Sequence, residues 1–363
     1  MRIAMLSWRD ITHPQSGGAE VLTHETLKRL VRDGHEVTWF AGVFPGAAAT
    51  ATVDGVRIVR QGRAWTVQFR AWRWLRRRLG EFDRVIDQIN TLPFMTPRYV
   101  PAKQRRFFIM QLAREYWWRE SPGLFRLLAP VGYLLEPWSL RRYRRTRGVA
   151  ISESTKDDLV ALGLPARNIT VIPMAITVRP AATLPAKSGP PTVIILGRLT
   201  PAKFVEEGIE MFRAIQRQYP TARLWIVGRG KPSYRAHLER LVNGWQLRHV
   251  TFYGGVSETE KRQLLRRAHL LVFTSHREGW GLIVNEAAAF GTPAVGYDAP
   301  GVRESIGEAS QLAPLGDTAA LAERGLALLD DRARYDRQRR RAWQRAKKMS
   351  YDRTARKFLA DIT

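Results

Sequence analysis

Between Thr274 and Tyr297 the sequence reads TSHREGWGLIVNEAAAFGTPAVGY, with the carboxylates of Glu278 and Glu286 either side of the run Gly279-Trp280-Gly281-Leu282. Gly279 and Gly281 bare the backbone where a helix over about Leu282 to Phe290 is predicted to begin. The first N–H groups of a helix have no partner inside it and carry the positive end of its dipole, so such a start binds phosphate or carboxylate. Glu278 then stands on the loop and Glu286 about one helical turn inside. Both acids can face one ligand. The same spacing also fits an ordinary strand-to-helix connection, with Glu278 as a cap and Glu286 in solvent.

Gly197-Arg198-Leu199-Thr200-Pro201-Ala202-Lys203 follows an apolar run and offers two different cations. Arg198 brings a planar fork and Lys203 a mobile point charge, a combination suited to a pyrophosphate whose negative charge grows as it leaves. A solvated basic turn would read the same way. Gly17-Gly18-Ala19-Glu20 is a weaker signal, a glycine pair after the first apolar run that permits close backbone approach to a ligand. There is no Asp-x-Asp triplet, no His-Glu cluster at ligand spacing and no cysteine. No metal site is therefore expected, and disulfide or thiolate chemistry is excluded.

These residues need elements to hold them. Arg2 to Ser7, His35 to Ala41, Val56 to Arg60, Arg84 to Asp87, Arg106 to Met110 and Gly148 to Ser152 read as strands, with helical stretches such as Ala19 to Val31 between them. From Val178 to Pro191 the chain carries four prolines and no apolar period, which marks a linker. The alternation then restarts, with strands at Thr192 to Gly197, Arg223 to Val227, His249 to Tyr253, Leu270 to Thr274 and Pro293 to Tyr297. Strands alternating with helices predict an α/β protein with parallel, doubly wound sheets. In such a sheet ligands bind beyond the carboxyl ends of the strands, where the three loops above sit. The domains expected are 1–180 and 181–345, with a last helix over about 346–363 packing back on the first.

At 363 residues, 45% of them hydrophobic, the chain suits two globular domains, which implies a cleft. The formal charge is +26, and between Arg60 and Arg147 there are 20 Lys plus Arg against 6 Asp plus Glu, interleaved with Trp65, Trp72, Trp74, Trp117, Trp118 and Trp138. This stretch calls for an anionic partner. Phe69, Trp72, Leu75 and Leu79 fall at helical spacing, with Arg70, Arg73, Arg76, Arg77 and Arg78 around them, as in an amphipathic helix that lies on an anionic membrane. Arg141-Arg142-Tyr143-Arg144-Arg145 would reinforce it. The alternative is that Phe69, Trp72 and Leu75 are core and the arginines a solvated face. No run of eighteen apolar residues is present, and the opening MRIAMLSW is interrupted by Arg9 and Asp10 too early for a secretory segment. The expected location is the cytoplasm, peripheral at the inner face of the membrane.

The Glu278 to Glu286 segment resembles the Glu, seven residues, Glu motif of glycosyltransferase family 4, including its EGWGL and GTPAV flanks. Gly197-Arg198-Leu199 with Lys203 and the Gly17-Gly18 loop resemble two further markers of that family. The resemblance continues through Asp87-Gln88-Ile89-Asn90, Gln111-Leu112-Ala113-Arg114-Glu115 and Ser152-Glu153-Ser154-Thr155. It implies a GT-B fold, two Rossmann-like domains facing a central cleft, and a retaining, metal-independent enzyme that takes a sugar from a nucleotide diphosphate. By that resemblance Glu278 lies against hydroxyls of the transferred sugar, and the amides of Gly279, Trp280, Gly281 and Leu282 hold it and the diphosphate. Arg198 and Lys203 neutralise the phosphates, and Glu286 bonds the ribose. The first domain would take the acceptor, lipid-linked or a cell-envelope glycan.

Two positions depart from the family. Met110 stands where relatives carry a histidine near the reaction centre, and a thioether neither donates a hydrogen bond nor carries a proton. Val171-Ile172-Pro173-Met174-Ala175-Ile176 lacks the glycine expected after its proline. Met110 keeps open a catalytically weakened, sugar-nucleotide-binding subunit. A nucleic-acid-binding protein fits the charge but brings no recognised motif, so nucleic acid is not expected as a partner.

Overall fold

The computed structural model describes residues 1–63, 66–114, 117 and 129–363. Trp65, Trp118 and Glu115 lie outside the described residues. The chain divides into two compact units, Met1–Ala175 with Ser350–Thr363, and Ile176–Met349.

In the first unit the strands are β1 (Arg2–Leu6), β2 (Glu36–Ala41), β3 (Thr50–Val53), β4 (Val56–Arg60), β5 (Arg84–Ile89), β6 (Arg105–Ile109), β7 (Gly148–Ala150) and β8 (Ile169–Val171). They form one sheet in the order β3-β4-β2-β1-β5-β6-β7-β8, parallel except for the β3/β4 hairpin. That hairpin turns on Asp54 and Gly55, both left-handed (φ 48° and 79°), as a two-residue primed turn requires. The described helices are α1 (Gly18–Arg32), α2 (Val67–Arg76), α3 (Ala129–Arg141) and α4 (Glu153–Ala161), together with the C-terminal helix Tyr351–Ile362. The C-terminal helix is bound into this unit by an Arg29–Asp352 ion pair of 2.7 Å and an edge-to-face contact between Phe108 and Phe358.

A buried fork holds the loop after β1. Arg60, at the end of β4, donates to Asp10 at 2.7 and 3.1 Å and to the Thr12 hydroxyl at 2.9 Å. Burial works against the Asp10 charge, but the bonds from Arg60 and Thr12 outweigh it and hold the carboxyl below its ordinary range.

Helix α2 corrects the expected lipid-facing stripe. Val67, Ala71, Trp74 and Leu75 are its buried residues, so Leu75 belongs to the core and Trp74 replaces Trp72 on the inner face. Phe69 is exposed, Trp72 is half-buried, and Arg70, Arg73, Arg76, Arg77 and Arg78 remain outside. Of the second basic cluster, Tyr143 is fully buried and its hydroxyl donates to Asp87.

The second unit has six parallel strands, β9 (Thr192–Leu196), β10 (Arg223–Val227), β11 (Val250–Gly254), β12 (Leu270–Phe273), β13 (Ala294–Tyr297) and β14 (Leu312–Ala313), ordered β11-β10-β9-β12-β13-β14. Its helices are α5 (Val205–Gln218), α6 (Pro232–Gly244), α7 (Glu258–Arg267), α8 (Leu282–Ala288), α9 (Val302–Ile306), α10 (Thr318–Asp330) and α11 (Arg332–Lys347). Strand order reverses between β9 and β12, the switch point at which doubly wound sheets bind ligands.

The proline-rich stretch lies against this second unit, and Lys187 pins it. Its buried side-chain nitrogen lies within hydrogen-bond distance of the carbonyls of Leu265 (3.3 Å) and Arg266 (2.7 Å) and of the Thr292 hydroxyl (2.6 Å). Burial, with Arg339 and Arg266 nearby, pulls its pKa down to about 6. The unfolded chain binds a proton at this lysine between about pH 6 and 10.5 that the fold excludes. Stability should therefore rise with pH across that window, by up to about 1.4 kcal/mol per unit, and be lost as pH falls through 6. Denaturant unfolding at pH 6.5 and 8.5 checks this: Lys187→Met should flatten the slope, and an unchanged slope would refute the assignment.

Candidate functional site

The loops that leave β9 and β12, neighbours across the switch point, carry most of the residues singled out in the sequence. The β9 loop is shaped by a close crossing of two chains. The N–H of Leu199 donates to the carbonyl of Arg229 at 2.8 Å, and Gly197 donates to Val227 at 3.0 Å. Gly228 has φ +149°, and a Cβ there would fall 1.6 Å from the Gly197 oxygen. Only glycine permits this approach. It sets Arg198, which is exposed, on the rim of the loop.

Lys203 follows a single 3-10 turn, Pro201–Lys203, that ends on Phe204 in the left-handed region (φ 49°). Four contacts bind this turn to the β12 loop. The Thr274 hydroxyl donates to the Lys203 carbonyl at 2.8 Å. The Phe204 and His276 rings stack with centroids 3.4 Å apart and planes 6° from parallel. His276 Nε2 lies 3.1 Å from Glu207. The Lys203 ammonium is paired with the Glu278 carboxylate, both largely buried. Glu278 is also fixed through its backbone, its N–H donating to Pro300 at 3.0 Å.

Gly281 caps α8 in the left-handed region (φ 33°), where a Cβ would meet Ser305 Oγ at 2.7 Å and the Phe273 ring at 3.0 Å. The helix begins at Leu282 as expected and ends at Ala288, two residues earlier than the pattern suggested. Trp280 is buried, and its indole N–H has no hydrogen-bond partner among the described residues. The same holds for both amide atoms of Asn285. Glu286 is buried rather than solvated. Its carboxylate pairs with Lys261 of α7 at 2.9 Å. Burial pushes the Glu286 carboxyl above its ordinary value, offset in part by Lys261. Lys261 is half-buried, yet Glu286 and Glu258 keep its pKa raised.

In the first unit Gly17 is the N-cap of α1, whose first residue is Gly18, and the Gly17 N–H donates to Glu20 at 2.7 Å. Nothing in the fold requires glycine at 17: φ is −141°, and the nearest atom to an added Cβ lies 3.8 Å away. Met110 is buried after β6, and its carbonyl accepts the Thr155 hydroxyl at 3.1 Å. Ile172, Met174, Ala175 and Ile176, where the expected glycine is missing, are buried apolar positions. Glu136 of α3 accepts the N–H groups of Ala113 (2.6 Å) and Arg114 (2.9 Å), and burial raises its pKa. Gln88, Asn90 and Gln111, at the carboxyl ends of β5 and β6, each keep a buried amide atom with no hydrogen-bond partner among the described residues.

Phe204, Glu207, Lys261, Thr274 and His276 were not singled out in the sequence. Their partners are remote in the chain, so no local spacing marks them. Gly301 is similar: its φ is +75°, and a Cβ would fall 2.1 Å from the Glu278 carbonyl.

With this geometry in hand, two families match in succession: Glycosyltransferase Family 4 over residues 16–179 and Glycosyl transferases group 1 over residues 181–349. The chain belongs to the group 1, family 4 glycosyltransferases. This family 4 chain is 32% identical over 236 residues to a glycogen synthase of Mycobacterium tuberculosis, covering 62% of the chain and 55% of that protein. It is 30% identical over 205 residues to a phosphatidyl-myo-inositol mannosyltransferase of Mycobacterium leprae, covering 54% and 52%. The chain thus spans about half the length of these curated relatives. Anabaena HepE, solved in complex with UDP-glucose, superposes with a TM-score of 0.69 at 17% identity, over 99% of this chain and 98% of that one. The fold of this family 4 protein is GT-B.

Two glycines, one in each unit, differ in what the fold asks of them. Gly228→Ala should lower unfolding free energy by about 2 kcal/mol or more, because the new methyl meets backbone. Gly17→Ala should change it by no more than about 0.5 kcal/mol. Denaturant melts read both, and equal stabilities would refute the role given to the crossing.

Proposed function

We propose that the chain is a retaining, metal-independent glycosyltransferase that moves a sugar from a nucleotide diphosphate to an acceptor. The observation that carries this reading is the fixed Lys203–Glu278 pair, a cation and a carboxylate held together at the mouth of the β9/β12 switch point. The relatives' names support glycosyl transfer, and HepE was solved with UDP-glucose. Arg198 and Lys203 would balance the pyrophosphate, and the amides of Gly279 to Leu282 would complete its cradle. Glu278, already paired, suits hydroxyl binding better than nucleophilic attack. In the step itself the bond from the anomeric carbon to the phosphate oxygen breaks and a bond to the acceptor oxygen forms on the same face. The acceptor proton passes to the leaving phosphate, so no separate base is needed. Glu286 would accept hydrogen bonds from the ribose, its charge sustained by Lys261.

Calorimetry and transfer assays separate the roles. Glu286→Ala should weaken binding of the free nucleoside diphosphate, whereas Glu278→Ala should spare that binding and reduce transfer. Arg198→Ala and Lys203→Ala should each cut turnover about 100-fold or more. Activity should survive excess chelator. Equal nucleotide affinity in both glutamate variants, or abolition by chelator, would refute the respective assignment.

The acceptor is proposed to be lipid-linked and presented at an anionic membrane, in keeping with the name of the mannosyltransferase relative. No helix among the described residues is long and apolar enough to cross a membrane. Two faces of the first unit support docking. On α2, exposed Phe69 packs against Trp72 with Arg76 above that indole at 5.6 Å. On α3, Leu134 is 72% exposed, Val131, Leu135 and Trp138 are exposed beside it, and Arg142 stacks over Trp138 at 4.4 Å. Apolar side chains ringed by arginine suit the headgroup boundary, where each cation adds about 1 kcal/mol. Co-sedimentation with anionic vesicles should fall with salt and drop in Arg76→Glu/Arg77→Glu/Arg78→Glu and in Leu134→Glu. Indifference to anionic lipid at low salt would favour a soluble acceptor.

A further inference from the structure

The loops described above leave the carboxyl ends of β9 and β12. At the opposite, amino ends of β9 and β10 the second unit contains a cavity of about 220 Å³. Arg223 opens β10, Thr192 opens β9, Arg266 and Arg267 close α7, and Ser188 stands on the lip formed by the proline-rich strip. Trp225 forms the inner wall, with Arg267 stacked over its indole at 5.3 Å.

Three arginines, Arg223, Arg266 and Arg267, line this cavity, and among the described residues no carboxylate does. Cations this close repel one another unless an anion lies between them. Lys187, between the lining residues Ala186 and Ser188, has its pKa depressed by burial first and then by Arg339 and Arg266. The wall is also rigid, because Lys187 bonds the strip to the carbonyls of Leu265 and Arg266.

We propose that this cavity is a second anion site, distinct from the nucleotide-sugar site, that takes a small phosphate monoester such as a sugar phosphate. Arg223 and Arg266 would clamp the phosphate through their planar forks, and the Ser188 and Thr192 hydroxyls would meet its ester side. The volume lies below the 300–1,000 Å³ usual for drug-sized ligands, which excludes a whole nucleotide sugar and admits a compact phosphate ester. The chain's high charge attracts anions everywhere, so selectivity within the molecule is the test.

Isothermal titration of the full chain at physiological salt, with inorganic phosphate and with a hexose 6-phosphate, should give saturable 1:1 binding. Binding should weaken about ten-fold or more in Arg223→Ser/Arg266→Ser, given the strength of paired charge-assisted bonds. It should persist in Arg198→Met, which alters the proposed donor site, and in Arg337→Ser/Arg340→Ser, which removes the same charge from another exposed surface of this unit. Ser188→Glu, which brings a carboxylate to the lip of the cavity, should abolish it without removing any arginine. Loss in Arg198→Met would place the phosphate in the donor site and overturn the proposal. Equal weakening in both double variants, retention in Ser188→Glu, or the absence of saturable binding would overturn it as well.

Discussion

The arrangement of the second unit depends on one ion pair, Lys203 with Glu278, because it joins loops from two adjacent strands that no backbone hydrogen bond of the sheet connects at that level. An isolated surface pair would contribute little. Here both partners are largely buried, and removing either would leave an uncompensated charge in a poor solvent. The fold makes the geometry robust by surrounding the pair with neutral contacts: the Thr274 hydroxyl on the Lys203 carbonyl and the Phe204/His276 stack. Each holds one loop at a fixed distance from the other, so the side chains lose little freedom when they meet. The arrangement is preorganised before a ligand arrives, as electrostatic stabilisation of a leaving group requires.

The first unit solves a related problem with different chemistry. The loop between β1 and α1 is long and rich in small and polar residues, and it is anchored by a buried fork from Arg60 to Asp10 and Thr12. Nearer Gly17 the loop is held by Arg9, which donates to Gln15 at 2.8 Å, and the Gly17 N–H is taken by Glu20. The unbonded amide atoms of Gln88, Asn90 and Gln111 lie at the ends of β5 and β6, the next strands across the switch point. Buried polar groups without partners are costly, and these three stand together at the strand ends.

The strand, glycine loop and helix from Thr274 to Tyr297 were legible in the sequence because every signal is local: an apolar run, two glycines and an apolar helix in sequence. The phase of α2 was not. Phe69, Trp72, Leu75 and Leu79 fit a helical stripe, and so do Val67, Ala71, Trp74 and Leu75, so periodicity alone cannot choose the face. Packing against the sheet chose the second. The second strand of the β3/β4 hairpin was legible at Val56 to Arg60, whereas β3 was not, its short TATV run following three alanines. Lys261 had no mark at all. It sits in ETEKRQLLRR, a stretch that reads as a solvated helix, and acquires its role only because α7 packs beside α8.

That packing gives α7 two electrostatic tasks. Its ten residues span about 15 Å, with Lys261 near one end and Arg266 and Arg267 at the other. A helix of this length behaves as a rigid rod, so its two ends cannot be repositioned independently. The first end supplies the cation that keeps the buried Glu286 carboxylate charged, and the second supplies two of the three guanidiniums of the arginine-lined cavity. Basic residues in the last turn complement the helix dipole, whereas Lys261 near the first turn opposes it. Lys261 is held there by Glu286 and Glu258, which together outweigh both the dipole and burial. One rigid element thus carries both the cation that pairs with Glu286 and two of the arginines that line the cavity, so the position of either fixes the position of the other.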